Sequence, residues 1–390
     1  MPTPGFLPLA RKTFTVLGGL YAGAIILLTV PYIQTHTIFA HAARMPWFAQ
    51  YDMPEKYGLA PNKTINLKIQ TADNETLGAW FVLADRFYHA LPEIPSQPVD
   101  HIPVALQTHP TILFFHGNAG TRAFHARIQH YTAFTSRLSA NVLAIDYRGF
   151  GDSTGTPTEA GVARDARAAW NWLIANGAAA DQILIVGHSL GTGVSALLSA
   201  ELSDEDISPK GVVLLSPFTS IFKVIETYSI LKVFPLIKPL TMIPFAMDAV
   251  KRLLIHRFNT DTLVPRMKGP ILIAHAENDW DIPYTHSEAL FDTFMDPVLP
   301  AAPSLPTNAA ALSQEEWSAF GEQLTKRKTA RNELVTSVEL RNFGTVHEFV
   351  DVGHKRTVVF VQTLAGGHDY LGVQEGVQDV IGRTFGLFAQ

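Results

Sequence analysis

The sharpest chemical signal in the chain is Gly187-His188-Ser189-Leu190-Gly191. It follows the apolar run ILIV and precedes a helix-forming stretch, VSALLSAEL. A serine at a strand–turn–helix junction is held in a tight turn that lifts its hydroxyl clear of the sheet. The turn crowds its neighbours, so Gly187 and Gly191 remove the Cβ atoms that would clash. Gly193 is expected to add room where the helix packs on the strand. The helix that starts here points its positive end at the place where negative charge develops during attack on a carbonyl. The chemistry implied is acyl transfer, with Ser189 as the nucleophile.

A serine hydroxyl is inert at neutral pH until a base takes its proton. With this type of nucleophile turn, an acid and then a histidine follow the serine along the chain. The run ILIAH leads into Glu277-Asn278-Asp279-Trp280-Asp281. Three carboxylates compete there. Asp279 is favoured, because a strand has just ended and the loop is turning. Asp281 is the fallback, and Glu277 is expected to pair structurally. The last apolar run, TVVFVQT, enters Gly366-Gly367-His368-Asp369. A histidine in a glycine-rich loop at a strand's end can swing its ring toward the serine, so His368 is the expected base. His347 and His354 precede that strand and should lie at the sheet's opposite edge, on the surface.

The oxyanion of a tetrahedral intermediate needs two backbone donors. One is the amide after the nucleophile, Leu190; the other comes from the loop after an early strand. His116-Gly117-Asn118-Ala119-Gly120, directly after TILFF, supplies such a loop, with Asn118 as the expected donor. Asp146 and Arg148, in DYRGFG, are expected to brace the elbow. No H-E-x-x-H motif, no cysteine and no G-x-x-x-x-G-K-[ST] loop occurs, so neither a metal nor a cofactor is expected.

The elements that must position these residues are legible as apolar blocks. Strands are expected at Thr64–Ile69, Leu77–Leu83, Thr111–Phe115, Asn141–Asp146, Gln182–Val186, Gly211–Leu215, Ile271–His275 and Thr357–Thr363. Continuous blocks such as TILFF and ILIV are how strands buried on both faces read, and helical stretches alternate with them. This predicts an α/β chain with a mostly parallel eight-stranded sheet, helices on both faces and an antiparallel edge formed by the first two strands. One helix should run from a Thr158 cap to about Ala175. Phe218–Arg257 is apolar but cut by Pro235, Pro239 and Pro244, which suits a cap rather than a spanning helix. Asp296–Asn342 starts Pro/Ala-rich and turns helical and charged, and is expected to be a surface insertion.

Residues 14–33 carry no charge and are long enough to cross a bilayer. Arg11 and Lys12 precede them, so the positive-inside bias puts residues 1–13 in the cytosol and the rest of the chain across the membrane. Two glycosylation sequons, at Asn62 and Asn74, fall on that far side. A cleaved signal peptide ending at Ala40-His41-Ala42 is the competing reading, but the apolar run exceeds the ~7–15 residues of a signal core. Residues 34–62 are expected to be a linker and 63–390 the catalytic domain. Composition agrees: of 390 residues 47% are hydrophobic and only 17% charged, which permits a large core. A net charge of −5 argues against a nucleic-acid partner, which would need a basic face.

Taken in order, HGNAG, DYRGFGDS, GHSLG, HAENDWDIP and GGHDY resemble the α/β-hydrolase superfamily. More narrowly they resemble its single-pass membrane branch of monoacylglycerol and lysophospholipid (lysophosphatidylserine-type) lipases. The resemblance spans about Lys63 to Gln390. It implies Ser189 as nucleophile, His368 as base, Asp279 as orienting acid, and Asn118 and Leu190 as oxyanion donors. It also implies a lipid ester substrate and a catalytic domain in the lumen of the endoplasmic reticulum or outside the cell. The chain reads Glu277-Asn278-Asp279 where the branch usually has a second acid in the middle. The same triad serves thioesterases and serine peptidases, and the fold serves non-catalytic scaffolds, so the motif alone does not choose the leaving group.

Overall fold

The computed structural model describes residues 6–230, 234–303, 313–354 and 356–388. All eight expected strands form, within a sheet of ten. In chain order these are β1 (Thr64–Gln70), β2 (Thr76–Val82), β3 (Thr111–Phe115), β4 (Asn141–Ile145), β5 (Ile183–His188), β6 (Gly211–Leu215), β7 (Ile271–Ala276), β8 (Thr336–Leu340), β9 (Gly344–Asp351) and β10 (Arg356–Thr363). Across the sheet the order is β1-β2-β4-β3-β5-β6-β7-β10-β9-β8. The strands from β4 to β10 in that order run parallel, and both edges are antiparallel.

The two additional strands correct the expected count of eight. β8 lies inside the stretch 296–342 that was expected to be a surface insertion, so this segment ends by extending the sheet. Its helix, Gln314–Leu334, opens with a reciprocal capping box between Ser313 and Glu316 and buries no residue. The part of the insertion at 304–312 lies outside the described residues, as does 231–233 of the cap.

Parallel strands hide both faces, and two apolar layers do this here. Phe115, Ile145, Ile185, Leu214 and Ile273 face one layer, while Phe114, Ala144, Val186, Val213 and Leu272 face the other. Alternation along each strand assigns neighbours to opposite layers. The parallel strands consequently end in register on one side, where the loops after β3, β5, β7 and β10 gather.

The apolar N-terminal stretch forms helix Phe6–Leu28, whose residues 7–28 are long and apolar enough to cross a membrane. A second helix, Pro31–Phe39, follows a break at residues 29–30. The expected span of 14–33 thus straddles two helices. Pro31 has no N–H to continue the first helix and instead occupies the first turn of the next, where that N–H is not needed.

Residues 34–62 are not a free linker. Phe39 is fully buried. The carbonyls of Phe39, Ala43 and Met45 accept hydrogen bonds from the amides of Ala119, Gly120 and Thr121, at 2.9, 2.7 and 2.9 Å. Tyr51 O accepts from Trp80 Nε1 at 2.9 Å. The segment therefore holds one side of the HGNAG loop. The cap region comprises helices Ile221–Thr227 and Ala246–Leu253 with a 3₁₀ turn at Lys238–Met242. Tyr21 Oη donates to Leu236 O at 2.9 Å, and Gln34 Nε2 donates to Leu253 O at 2.9 Å, tying this region to the N-terminal helices.

Candidate active site

Ser189 stands between β5 and helix Leu190–Asp204 with φ 52° and ψ −120°, a conformation that L-residues rarely adopt. Its N–H donates to Leu215 O at 3.0 Å, which pins the turn to β6. The flanking glycines are required by contact. A Cβ on Gly187 would lie 2.4 Å from Gly191 O, and one on Gly191 would lie 2.0 Å from Phe115 O. Gly193 differs from expectation: a Cβ there would meet Phe258 at 2.8 Å and Phe218 at 3.3 Å, so it admits the rings at the two ends of the cap region.

Asp279 occupies the turn after β7, its N–H donating to Ala276 O at 3.0 Å. One carboxylate oxygen, Oδ1, accepts the amides of Asp281 at 2.8 Å and Ile282 at 2.9 Å. The other, Oδ2, lies 2.7 Å from His368 Nδ1 and 3.1 Å from His275 Nε2. Burial by itself would raise the carboxyl's pKa. The hydrogen bonds of His275 and His368, with the charge of His368, win, and Asp279 is held well below the usual carboxylate range. The sum of these contacts fixes an ionised acceptor facing the imidazole.

His368 follows β10. Burial would lower its pKa, but the hydrogen bond and charge of Asp279 outweigh this, with Asp281 and Asp369 adding to them, and the ring is held above its ordinary value. Since Nδ1 faces a carboxylate, that nitrogen carries the proton. Nε2 is left with a lone pair, the state a base needs. Ser189 and His368 line one cavity of about 400 Å³, together with Asn118 and Leu190. Among the described residues neither the Asn118 nor the Leu190 N–H has a hydrogen-bond partner. Leu190 opens its helix, where first-turn amides have no intrahelical acceptor. Phe218, Ile221, Val224 and Tyr228 of the cap region cover the cavity, and Ile38 of the second N-terminal helix joins them.

Three positioning contacts were not legible in the sequence. His188, read only as part of the elbow, places Nε2 2.8 Å from His368 O and so donates to the loop that carries His368. Burial, then the neighbouring His368 and His130, keeps this ring well below the ordinary histidine pKa, and hence neutral. Asn278, where the branch usually has an acid, accepts the Gly367 N–H on its Oδ1 at 2.9 Å. His275 is fully buried, and its Nδ1 lies 2.6 Å from Ser287 Oγ. Its Nε2 faces two acceptors, Asp279 Oδ2 and Ile282 O, so that nitrogen is protonated and Ser287 donates to Nδ1.

The remaining candidates sort by place. Glu277 accepts from Gln362 at 2.9 Å and stays out of the cavity. Asp281 lines the cavity and serves Asp279 through its backbone. His347 lies 2.8 Å from Ser337, and His354 lies 2.7 Å from Asp351; both are far from the serine, on the β8–β9 side, and half-buried rather than on the open surface. Asp146 receives the Arg122 amide and guanidinium, each at 2.6 Å. Arg148 does not brace the elbow. It clamps Asp165 and Asp73, and the motif meets the HGNAG loop through Tyr147 Oη, which donates to His116 O at 2.9 Å, and through Asp146 Oδ1, 3.4 Å from His116 Nε2. Asp279, Asp281 and His368 come within 4.8 Å of one another, a spacing that suits a metal ion. Asp279 Oδ2 and His368 Nδ1 already share a hydrogen bond of 2.7 Å.

Fold and site together define a serine ester hydrolase. Residues 112–371 match the model of the alpha/beta hydrolase family. The lysophosphatidylserine lipase ABHD12 of Danio rerio is 33% identical over 285 residues, covering 73% of this chain and 72% of that protein. Protein ABHD12B of Homo sapiens is 29% identical over 261 residues, covering 65% and 68%. Among solved structures, an alpha-beta hydrolase from Vibrio vulnificus superposes with a TM-score of 0.50 at 16% identity, over 90% of this chain and 89% of that one, which bears on the fold alone. The chain belongs to the alpha/beta hydrolase family, in the branch of the ABHD12 proteins.

Proposed function

We propose that this chain is a membrane-anchored lipase that cleaves the carboxylic esters of single-chain lipids, monoacylglycerols or lysophospholipids, through an acyl-enzyme on Ser189. His368 Nε2 takes the hydroxyl proton as Oγ attacks the acyl carbonyl carbon. The amides of Asn118 and Leu190 receive the oxyanion. The tetrahedral intermediate collapses, the ester C–O bond breaks, and the leaving alcohol departs with the proton from His368. Water then attacks the acyl-enzyme by the same route and frees the fatty acid and Ser189. Asp279 holds the imidazole in the productive tautomer and stabilises the imidazolium.

The observation that carries this reading is the 2.7 Å contact between Asp279 and a His368 ring that opens on the same cavity as Ser189. The apolar cover of that cavity suits an acyl chain, and the ABHD12 relatives are named for a lysophospholipid. The anchor reading is supported by helix Phe6–Leu28, and a lumenal or extracellular catalytic domain by Arg11 and Lys12 near its start. A fluorophosphonate probe, combined with lipid profiling of cells, tests both halves. Wild type should label and Ser189→Ala should not, and one class of single-chain lipid should accumulate with the variant. Labelling that survives in Ser189→Ala, or accumulation of peptides alone, would sink the reading.

A further inference from the structure

A second, smaller cavity of about 60 Å³ meets Ser189 and His368 beneath the HGNAG loop, away from the apolar cap. Ala126, Arg127 and Asp369 line it as well. Arg127 sits in the first turn of helix His125–Arg137 and is only 5% exposed. Its Nη2 donates to the carbonyls of Gly117, Asn118 and Ala119, at 3.1, 3.3 and 2.5 Å. Its Nη1 is buried and has no partner. Among the described residues no carboxylate pairs with this guanidinium, although neutral carbonyls solvate a cation without neutralising it. A buried charge in that condition is costly unless something else completes it.

The same place is rich in positive potential from the backbone. Phe124 O accepts the amides of Arg127 and Ile128, while those of His125 and Ala126 open the helix without an intrahelical acceptor. A helix N-terminus and an unpartnered buried guanidinium together make a site for an anion, most simply a phosphate. Asp369 adds the opposite sign. It is exposed, it lines both this cavity and the larger one, and among the described residues it takes part in no ion pair. A lone anion would be repelled by it, whereas a headgroup with a phosphate and an ammonium satisfies both charges.

We propose that this small cavity is the headgroup subsite for the leaving alcohol: Arg127 and the helix N-terminus take a phosphodiester, and Asp369 takes an ammonium. This rests on the acyl-enzyme reading of Ser189 and narrows it. The acyl chain lies under the apolar cap, the alcohol lies under the HGNAG loop, and the serine works at their junction. A monoacylglycerol has neither charge and leaves Arg127 unanswered.

The test uses the full-length protein in detergent micelles and three esters with one acyl chain: a monoacylglycerol, a lysophosphatidylglycerol and a lysophosphatidylethanolamine. Arg127→Gln should lower kcat/KM for both phospholipids tenfold or more relative to the monoacylglycerol, chiefly through KM. Asp369→Asn should lower the ethanolamine lipid relative to the glycerol one. If Arg127→Gln slows all three in equal proportion, the residue only supports the loop and the subsite is refuted. A measurement on the wild type guards against misfolded variants. Glycerophosphoethanolamine should protect Ser189 from a fluorophosphonate where free glycerol at the same concentration does not, and equal protection by both overturns the proposal. A wild type that hydrolyses none of the esters fails the lipase reading itself, and this subsite with it.

Discussion

Replacing Gly191 by alanine would put a methyl carbon 2.0 Å from Phe115 O, 2.6 Å from Phe115 C and 2.9 Å from His116 O. All three are backbone atoms at the end of β3, so no side-chain rotation relieves the clash. To reach even 3.0 Å the two backbones must part by about 3.0 − 2.0 = 1.0 Å. The same chain runs on from Phe115 and His116 into Asn118, so the proposed oxyanion donor moves with it. A displacement of ~1 Å in a reacting geometry costs ~10²-fold in rate, and loss of one oxyanion donor costs ~10²–10³ in kcat. Alanine is the better helix former by about 1 kcal/mol, which offsets part of the fold's cost. The expected outcome is a folded Gly191→Ala enzyme with kcat lowered ~10²-fold or more and KM little changed. Stopped-flow hydrolysis of a chromogenic ester, with circular dichroism as the folding check, measures it. Gly193→Ala is the control. Its nearest neighbours are the rings of Phe258 and Phe218, which can turn, so kcat should fall less than about tenfold. A folded Gly191→Ala enzyme with wild-type kcat would refute the account of the elbow.

The pH profile reports on His368. Only the neutral ring accepts a proton, and Asp279 holds its pKa above the ordinary value, so kcat/KM should rise with pH through a midpoint above ~6.5. In Asp279→Asn the largest raising contribution is gone, only the weaker ones of Asp281 and Asp369 remain against burial, and the midpoint should move down; an unmoved midpoint contradicts the pairing. The raised pKa also stabilises the fold below the ordinary histidine range, and this contribution fades as pH rises through the raised value. Arg148→Ala should cost ~3–5 kcal/mol in urea unfolding, less whatever solvent screens at the partly exposed Asp73, because it leaves buried Asp165 without its partner. Activity per folded molecule should be retained. In a cell with a secretory pathway, glycosidase treatment should increase the gel mobility of the wild type. Asn62→Gln with Asn74→Gln should abolish the shift, whereas no shift in the wild type would contradict the expected use of these two sequons.

The parallel core was legible because strands buried on both faces must be written as unbroken apolar blocks. β8 and β9 were not. β8 reads TSVEL and is exposed along its length, so it carries no burial signal, and its place comes from pairing with β9. That Asp279 meets His368 beside the cavity of Ser189 was legible because each of the three sits just past an apolar run. The contacts of His188, His275 and Asn278 were not. Their partners are a carbonyl, a carboxylate and an amide brought close by the turns, and no local pattern marks a neutral histidine as a positioning residue. The packing of residues 39–45 on the HGNAG loop is likewise a matter of tertiary structure. A stretch without periodicity reads as a linker, although here its carbonyls complete the hydrogen bonding of the loop.

In the proposed reaction Ser189 carries the acyl group while His368 moves the proton. Rapid mixing with a chromogenic ester, acid quench and peptide mass analysis test it directly. A burst of about one alcohol per enzyme and an acyl adduct on the peptide containing Ser189 are expected. His368→Ala should show neither on the same timescale. An adduct on any other residue, or a full burst from His368→Ala, would contradict it.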